Sequence, residues 1–160
     1  ITYQPETYRL PRRLKGITTL SIGAGNRVNI QGFRFTRYEK AYQKLYAAEN
    51  SRIYGDSYTL AGDAVEKIGN NVTLEFDNMD FGGTGFSKLV ICGRSRNDVN
   101  TVHIHFVSQD EEIVQIVEVP YSDGYMEHEF RLDSVEGMKK VSFTFLPGSS
   151  FDFRWFRFIK

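Results

Sequence analysis

The chain ends in FLPGSSFDFRWFRFIK, residues 145–160, its most informative segment for the fold. It holds six Phe or Trp residues, among them the chain's only Trp. Its 147–150 segment, PGSS, is a turn signal, because Pro and Gly set the backbone dihedrals that a turn needs. After this turn Phe151, Phe153 and Trp155 alternate with charged residues, which is the period-two pattern of a half-buried strand. The sequence therefore predicts a closing β-strand.

The alternation of apolar residues shifts by one position after Trp155, because the next aromatic residues are Phe156 and Phe158. A β-bulge, or a strand buried on both faces, explains such a change. A strand this aromatic would aggregate if it formed an exposed edge. We therefore expect it to lie centrally in a sheet, with the rest of the chain built around it.

Short apolar segments follow one another along the second half of the chain, about ten residues apart, with Gly, Pro, Asn and Asp between them. This spacing is typical of an antiparallel sandwich. We predict an all-β fold, an antiparallel β-sandwich of jelly-roll type. Besides the closing strand, the predicted strands are residues 72–76, 89–93, 101–108, 112–119, 127–132 and 140–146.

The length of 160 residues suits one domain with a sizeable core. We expect residues 1–160 to form a single domain, with residues 1–27 as an extended lead-in packed on it. Residues 38–50 have helical composition but fit a strand equally well. Strands are also predicted at 17–22 and 28–35, and a polar, aromatic loop at 51–62.

Charge and composition exclude several classes of partner. Lys plus Arg and Asp plus Glu number 20 each, so no net field favours nucleic acid or an anionic membrane. No apolar run approaches the ~18 residues that span a bilayer. Cys92 is the only cysteine, which excludes an intramolecular disulfide. We expect no nucleic-acid partner, no membrane insertion and a monomer.

The N-terminal residues ITYQPETYRL lack the basic and apolar segments of a signal peptide. Because the chain starts with Ile, we expect it to be a piece of a longer protein, whose compartment is set by a signal elsewhere.

No catalytic constellation is visible in the sequence. His103 and His105 share one face of a predicted strand and would ligate zinc only with a third ligand; a solvated strand face is the commoner role. The glycines of 82–85 are not followed by the Gly-Lys-Ser/Thr of a phosphate loop. Scattered carboxylates leave a glycosidase pair open. We predict that the chain is not an enzyme, with a small hydrolase as the disfavoured alternative.

Two segments carry the residue types of a site for a neutral sugar. An aromatic ring stacks on the C–H face of a pyranose, and planar polar groups hydrogen-bond its hydroxyls. A core edge and a solvated turn are the alternatives for these two segments. The candidate binding residues are Tyr54, Asp56 and Tyr58 in the first segment, and Arg94, Arg96 and Asn97 in the second.

Three motifs carry a resemblance to a known family: GNNVTLEFDNMDFG at 69–82, ICGRS at 91–95 and FLPGSSFDFRWFRF at 145–158. Together they resemble the β-sandwich carbohydrate-binding modules appended to bacterial family 2 glycoside hydrolases, in particular the β-galactosidases of streptococci and clostridia. The layout is more distantly similar to family 6 and family 35 modules. The resemblance covers roughly residues 30–160.

This resemblance implies a jelly-roll-like sandwich that binds terminal β-galactose, as in lactose or N-acetyllactosamine, and does no chemistry. It implies the catalytic domain of a parent glycoside hydrolase as a partner in the same chain. An extracellular or bacterial cell-surface location follows from such a parent. The alternative is a structural accessory domain of a β-galactosidase without a sugar site.

Family 6-like modules also carry a structural calcium between the Glu of an Ala-Glu pair and an Asp of the last strand. Glu49, after Ala48, and Asp152 match these positions, and oxygen ligands suit calcium. The sugar binds such modules among the loops at one end or on a concave sheet face, where Trp155 is a candidate floor. The asparagine that precedes the closing Asp in family 6 modules is absent, since Ser149-Ser150-Phe151 stand there.

Overall fold

The computed structural model describes residues 2–6, 8, 10, 14, 16–35 and 39–160. Contacts divide the chain into two units, residues 1–38 and residues 39–160. The second unit holds every strand that the described residues form. No helix in these ranges is long and apolar enough to cross a membrane. The packing of residues 1–27 on the sandwich stays a prediction.

The second unit is almost entirely β-structure. Two short 3₁₀ turns, Lys40–Tyr42 and Ala47–Glu49, lie near its start. Its strands are β1 (Leu45–Tyr46), β2 (Arg52–Tyr54), β3 (Thr59–Ala61), β4 (Ala64–Ile68), β5 (Val72–Asp80), β6 (Lys88–Ser95), β7 (Val99–Val107), β8 (Glu112–Pro120), β9 (Met126–Arg131), β10 (Met138–Phe145) and β11 (Phe151–Ile159).

The strands form two antiparallel sheets. The six-stranded sheet has the order β3-β4-β11-β6-β9, and β1 also pairs with β11. The five-stranded sheet has the order β2-β5-β10-β7-β8. The inner faces of the two sheets enclose one apolar core, as in a β-sandwich. The predicted all-β sandwich is confirmed.

The closing strand β11 lies at the centre of the six-stranded sheet, as its aromatic content predicted. Its register with β6 shifts between Phe153, opposite Gly93, and Trp155, opposite Cys92. The predicted β-bulge is therefore confirmed, with Arg154 as the extra residue. Because of this shift, Phe153 and Phe156 both enter the core, whereas Trp155 and Cys92 do not belong to it.

Phenylalanines from both sheets interlock at the centre of the core. The ring of Phe156 on β11 meets Phe143 at 4.6 Å and Phe76 at 4.7 Å between centroids. Phe143 in turn meets Phe153 at 5.1 Å. Tilted and edge-to-face pairs of this kind are preferred by aromatic quadrupoles and add to the free energy of burial. β11 is thus held against the strands of the opposite sheet.

Three predictions for the first half of the chain need correction. Residues 17–22 and 28–35 form no strand, because none of the described residues of their unit pairs with them. Residues 51–62 are not only a loop, since β2 and β3 lie within them. For residues 38–50, the helix prediction and the strand prediction are each partly correct over the described residues 39–50, because two 3₁₀ turns flank the two-residue strand β1.

We expect Gly93→Ala to lower the free energy of unfolding by about 1–3 kcal/mol, because overpacking strains a close-packed core. A Cβ at Gly93 would lie 2.3 Å from Cζ of Phe151. Gly124→Ala is the matched control, since its Cβ would meet nothing within 4 Å. Urea denaturation of both variants measures the effect, and equal midpoints would contradict the tight approach of β11 to β6.

Candidate functional site

Five loops meet at one end of the sandwich, which we call the loop end: residues 55–58, 69–71, 96–98, 121–125 and 146–150. Hydrogen bonds between backbone groups join them. The N–H of Gly69 donates to the carbonyl of Ser57 at 3.0 Å, and that of Arg96 donates to Ser150 at 3.0 Å. The N–H of Tyr121 donates to the carbonyl of Asp98, also at 3.0 Å.

The two predicted segments are brought to this end together. Asn97 donates from Nδ2 to the carbonyl of Gly148 at 2.7 Å, and the N–H of Gly148 donates to Oδ1 of Asn70 at 2.8 Å. Next to Asn70, Asn71 donates from Nδ2 to Oδ2 of Asp56 at 3.1 Å. A chain of polar contacts therefore links Asn97 to Asp56 through residues that the sequence reasoning had not assigned to the site.

The first segment, residues 54–58, is held close to the Asn70–Asn71 turn. Gly55 has φ +142°, and a Cβ there would lie 2.3 Å from the carbonyl oxygen of Asn71. Tyr54 is 44% exposed, on β2. Its hydroxyl donates to Oε1 of Glu75 at 3.3 Å, and the guanidinium of Arg52 lies 5.1 Å from its ring centroid. Tyr58 is half-buried against the core.

The second segment, residues 94–98, contains two arginines with different surroundings. Arg96 donates from a terminal guanidinium nitrogen to Oδ2 of Asp152 at 2.9 Å. Arg94, two residues earlier on β6, lies opposite Asp152 in the sheet register but makes no ion pair with it. Nε of Arg94 is buried and has no hydrogen-bond partner among the described residues.

A third segment, Tyr121 to Tyr125 with the sequence YSDGY, also lies at the loop end. Tyr121 is 54% exposed, and its hydroxyl donates to Oδ1 of Asp123 at 2.5 Å. Tyr125 donates to Oε1 of Glu66 at 2.7 Å; burial, then this contact, raises the pKa of Tyr125 well above its usual range. The sequence analysis missed this segment, although YSDGY has the same residues as YGDSY at 54–58.

Trp155, a candidate for the floor of a sheet-face site, is not open to solvent. Its side chain is only 8% exposed. The ammonium of Lys44 lies 4.2 Å from the ring centroid, and Cys92 stands opposite in the register. In this arrangement the lysine covers the ring, so no face of it is presented for a sugar to stack on.

The carboxylate of Asp152 is buried and already satisfied. It accepts the backbone N–H of Lys67 at Oδ1 and the guanidinium of Arg96 at Oδ2, both at 2.9 Å. Glu49, the other predicted calcium ligand, is exposed on the second 3₁₀ turn. The described residues contain no group of three His, Cys, Asp or Glu that could hold a metal. Because both oxygens of Asp152 already accept hydrogen bonds within the fold, this carboxylate does not fit a calcium ligand in this arrangement. The calcium ion itself stays a prediction.

The sandwich is similar to solved carbohydrate-binding modules. A family 6 module from Clostridium stercorarium, in complex with cellobiose, is 20% identical with a TM-score of 0.62, over 75% of this chain and 95% of that one. A family 6 module from Clostridium cellulolyticum, in complex with xylose, is 20% identical with a TM-score of 0.64, over 75% and 98%.

A larger protein shows the same likeness. The family 43 arabinoxylan arabinofuranohydrolase from Bacillus subtilis, in complex with cellotetraose, is 24% identical with a TM-score of 0.61, over 83% of this chain and 30% of that one. At these identities the likeness shows a shared fold. The sequence matches no protein-family model and no curated protein.

We expect the melting temperature of the wild-type protein to be the same in excess calcium and in excess chelator, because Arg96 supplies the positive charge beside Asp152. Arg96→Ala should lower the free energy of unfolding by about 1–3 kcal/mol, since it leaves the buried carboxylate of Asp152 with the Lys67 N–H but without its guanidinium donor. The control is Arg157→Ala, which removes an exposed arginine from β11, the strand of Asp152. A melting temperature that rises with calcium and falls with chelator would contradict this arrangement.

Proposed function

We propose that this chain is a non-catalytic carbohydrate-binding module whose site lies at the loop end. The proposal rests on one observation: hydrogen bonds join three segments that carry tyrosines or arginines into one polar surface. These segments are residues 54–58, 94–98 and 121–125. Two of these segments, residues 54–58 and 94–98, are predicted from the sequence alone as candidates for a sugar site.

The loop end supplies both parts of the chemistry that a sugar requires. The half-exposed ring of Tyr121 offers an apolar face to the C–H groups of a pyranose. The amide nitrogen of Asn97 donates a hydrogen bond to Gly148, and one carboxylate oxygen of Asp56 accepts a hydrogen bond from Asn71. Their remaining oxygens would accept hydrogen bonds from sugar hydroxyls. Because these side chains are already held in place, less conformational entropy is lost on binding.

The solved neighbours support a sugar as the ligand. The two clostridial family 6 modules are in complex with cellobiose and xylose, and a similar family 6 module from Bacillus halodurans binds a β-1,3-glucan. For this chain we propose a terminal β-galactose, of the lactose or N-acetyllactosamine type. This choice of sugar rests on the resemblance of the three sequence motifs to modules of bacterial β-galactosidases.

The setting of the module follows from the same resemblance. We propose that it is linked in its natural chain to the catalytic domain of a glycoside hydrolase, outside the cell or at the bacterial cell surface. One solved neighbour, the family 43 enzyme, contains a similar sandwich within a larger hydrolase chain. A small, flat ligand buries few atoms, so a single site should bind weakly, and several sites per particle would supply avidity.

A structural accessory domain without a sugar site is the second candidate, and an exposed apolar surface favours it. Val114 and Ile116 lie two positions apart on the edge strand β8, and they are 45% and 56% exposed. They share the outer face of the five-stranded sheet with His103, which lies opposite Ile116. An accessory domain would bury this edge against its enzyme.

We expect Tyr121→Ala and Tyr54→Ala each to weaken binding of a terminal galactoside about tenfold, through the loss of ring stacking. Isothermal titration with lactose measures the effect on the folded variants. Ile116→Ala is the control, because it removes an exposed apolar side chain far from the loops. Absence of binding to any sugar on a glycan array by the folded wild-type protein would favour the accessory domain instead.

A further inference from the structure

Three arginines lie on the outer face of the six-stranded sheet near the loop end, and only two have a carboxylate. Arg96 pairs with Asp152 at 2.9 Å, and Nε of Arg154 lies 3.4 Å from Oδ1 of Asp63. For Arg94 the described part of the chain offers neither an ion pair nor a hydrogen-bond acceptor. The backbone of Arg94 is fixed in β6, and its guanidinium carries a charge that no described carboxylate pairs with.

Three carboxylates of this part of the molecule, by contrast, already have donors. Asp152 accepts from Arg96 and from the backbone of Lys67. Asp123 accepts the hydroxyl of Tyr121, and Glu66 accepts that of Tyr125 at 2.7 Å. These three acids are therefore paired within the fold, whereas the guanidinium of Arg94 is unpaired and is suited to an anion from outside the chain.

Arg94 also lies next to the ring on which a sugar would stack. Ser95, the neighbour of Arg94, forms a β-bridge with Tyr121. The positive charge of Arg94 acts to lower the pKa of Tyr121, against the larger effect of the hydrogen bond to Asp123, which raises it. The charge of Arg94 is thus close enough to act on Tyr121, an exposed aromatic residue.

We infer that the loop end recognises a sugar carrying an anionic group, a uronate carboxylate or a sulfate ester, and that Arg94 binds this group. The inference rests on the proposed function and narrows its ligand class. The pyranose ring stacks on Tyr121 while the guanidinium donates two parallel hydrogen bonds to the anion. A planar fork matches a carboxylate in this way, whereas the ammonium of a lysine offers only a point charge.

The test compares matched neutral and acidic ligands by isothermal titration at low salt. The pairs are galactose with galacturonic acid and glucose with glucuronic acid, and galactose 6-sulfate separates sulfate from carboxylate. The proteins are the wild type, Arg94→Ala, Arg94→Lys and Arg131→Ala. Arg131 is an exposed arginine on the same sheet, opposite Lys88 at the far end of β9, so its removal controls for net charge.

We expect the wild type to bind at least one acidic sugar about tenfold more tightly than its neutral partner. Arg94→Ala should reduce this ratio to about one, Arg94→Lys should restore part of it, and Arg131→Ala should leave it unchanged. Neutral sugars bound as tightly as acidic ones, or a preference that survives Arg94→Ala, would overturn the inference and leave the proposed function standing. Absence of binding to every ligand by folded protein would overturn both.

Discussion

The register shift in β11 is the constraint on which the rest of the structure depends. Because Arg154 is an extra residue, Phe153 and Phe156 both enter the core, and Phe156 meets the rings of Phe76 and Phe143 on the opposite sheet. The same shift turns Trp155 to the outer face, where the regular alternation before it already places Asp152. The strand thus contributes to the core on both sides of Arg154. The buried carboxylate of Asp152 lies beside Arg96, at the point where the loops begin.

The loop end depends on this framework, because its loops connect strands whose registers are fixed by the core. Beyond the strand ends, hydrogen bonds between loops take the place of strand pairing. The N–H of Gly148 donates to Oδ1 of Asn70, and Nδ2 of Asn97 donates to the carbonyl of Gly148. Arg96 is used internally on Asp152, whereas Arg94 is not used by the fold. Only the polar side chains that the fold does not use in this way are available to hydrogen-bond a ligand.

The sequence predicted the elements whose signal is local. The alternation in residues 151–159 located the closing strand, its bulge and its central position, since apolar period and phase are properties of neighbouring residues. The short strands β2, β3 and β4 were not predicted, because segments of three to five residues are too short to show a period. Calcium at Asp152 was inferred from matching positions, and the Arg96 pairing, which joins residues 56 positions apart, has no local signature. The sequence left the role of Trp155 open, because the cover provided by Lys44 is a tertiary contact.

The central claim is that a sugar binds among the loops and not on a sheet face. An NMR titration of the ¹⁵N-labelled protein with lactose tests it most directly, since each backbone amide reports on its own surroundings. We expect shifts concentrated in residues 54–58, 94–98 and 121–125. Shifts confined to the outer face of the five-stranded sheet, around His103 and Thr144, would contradict it, and so would an unchanged spectrum at saturating sugar.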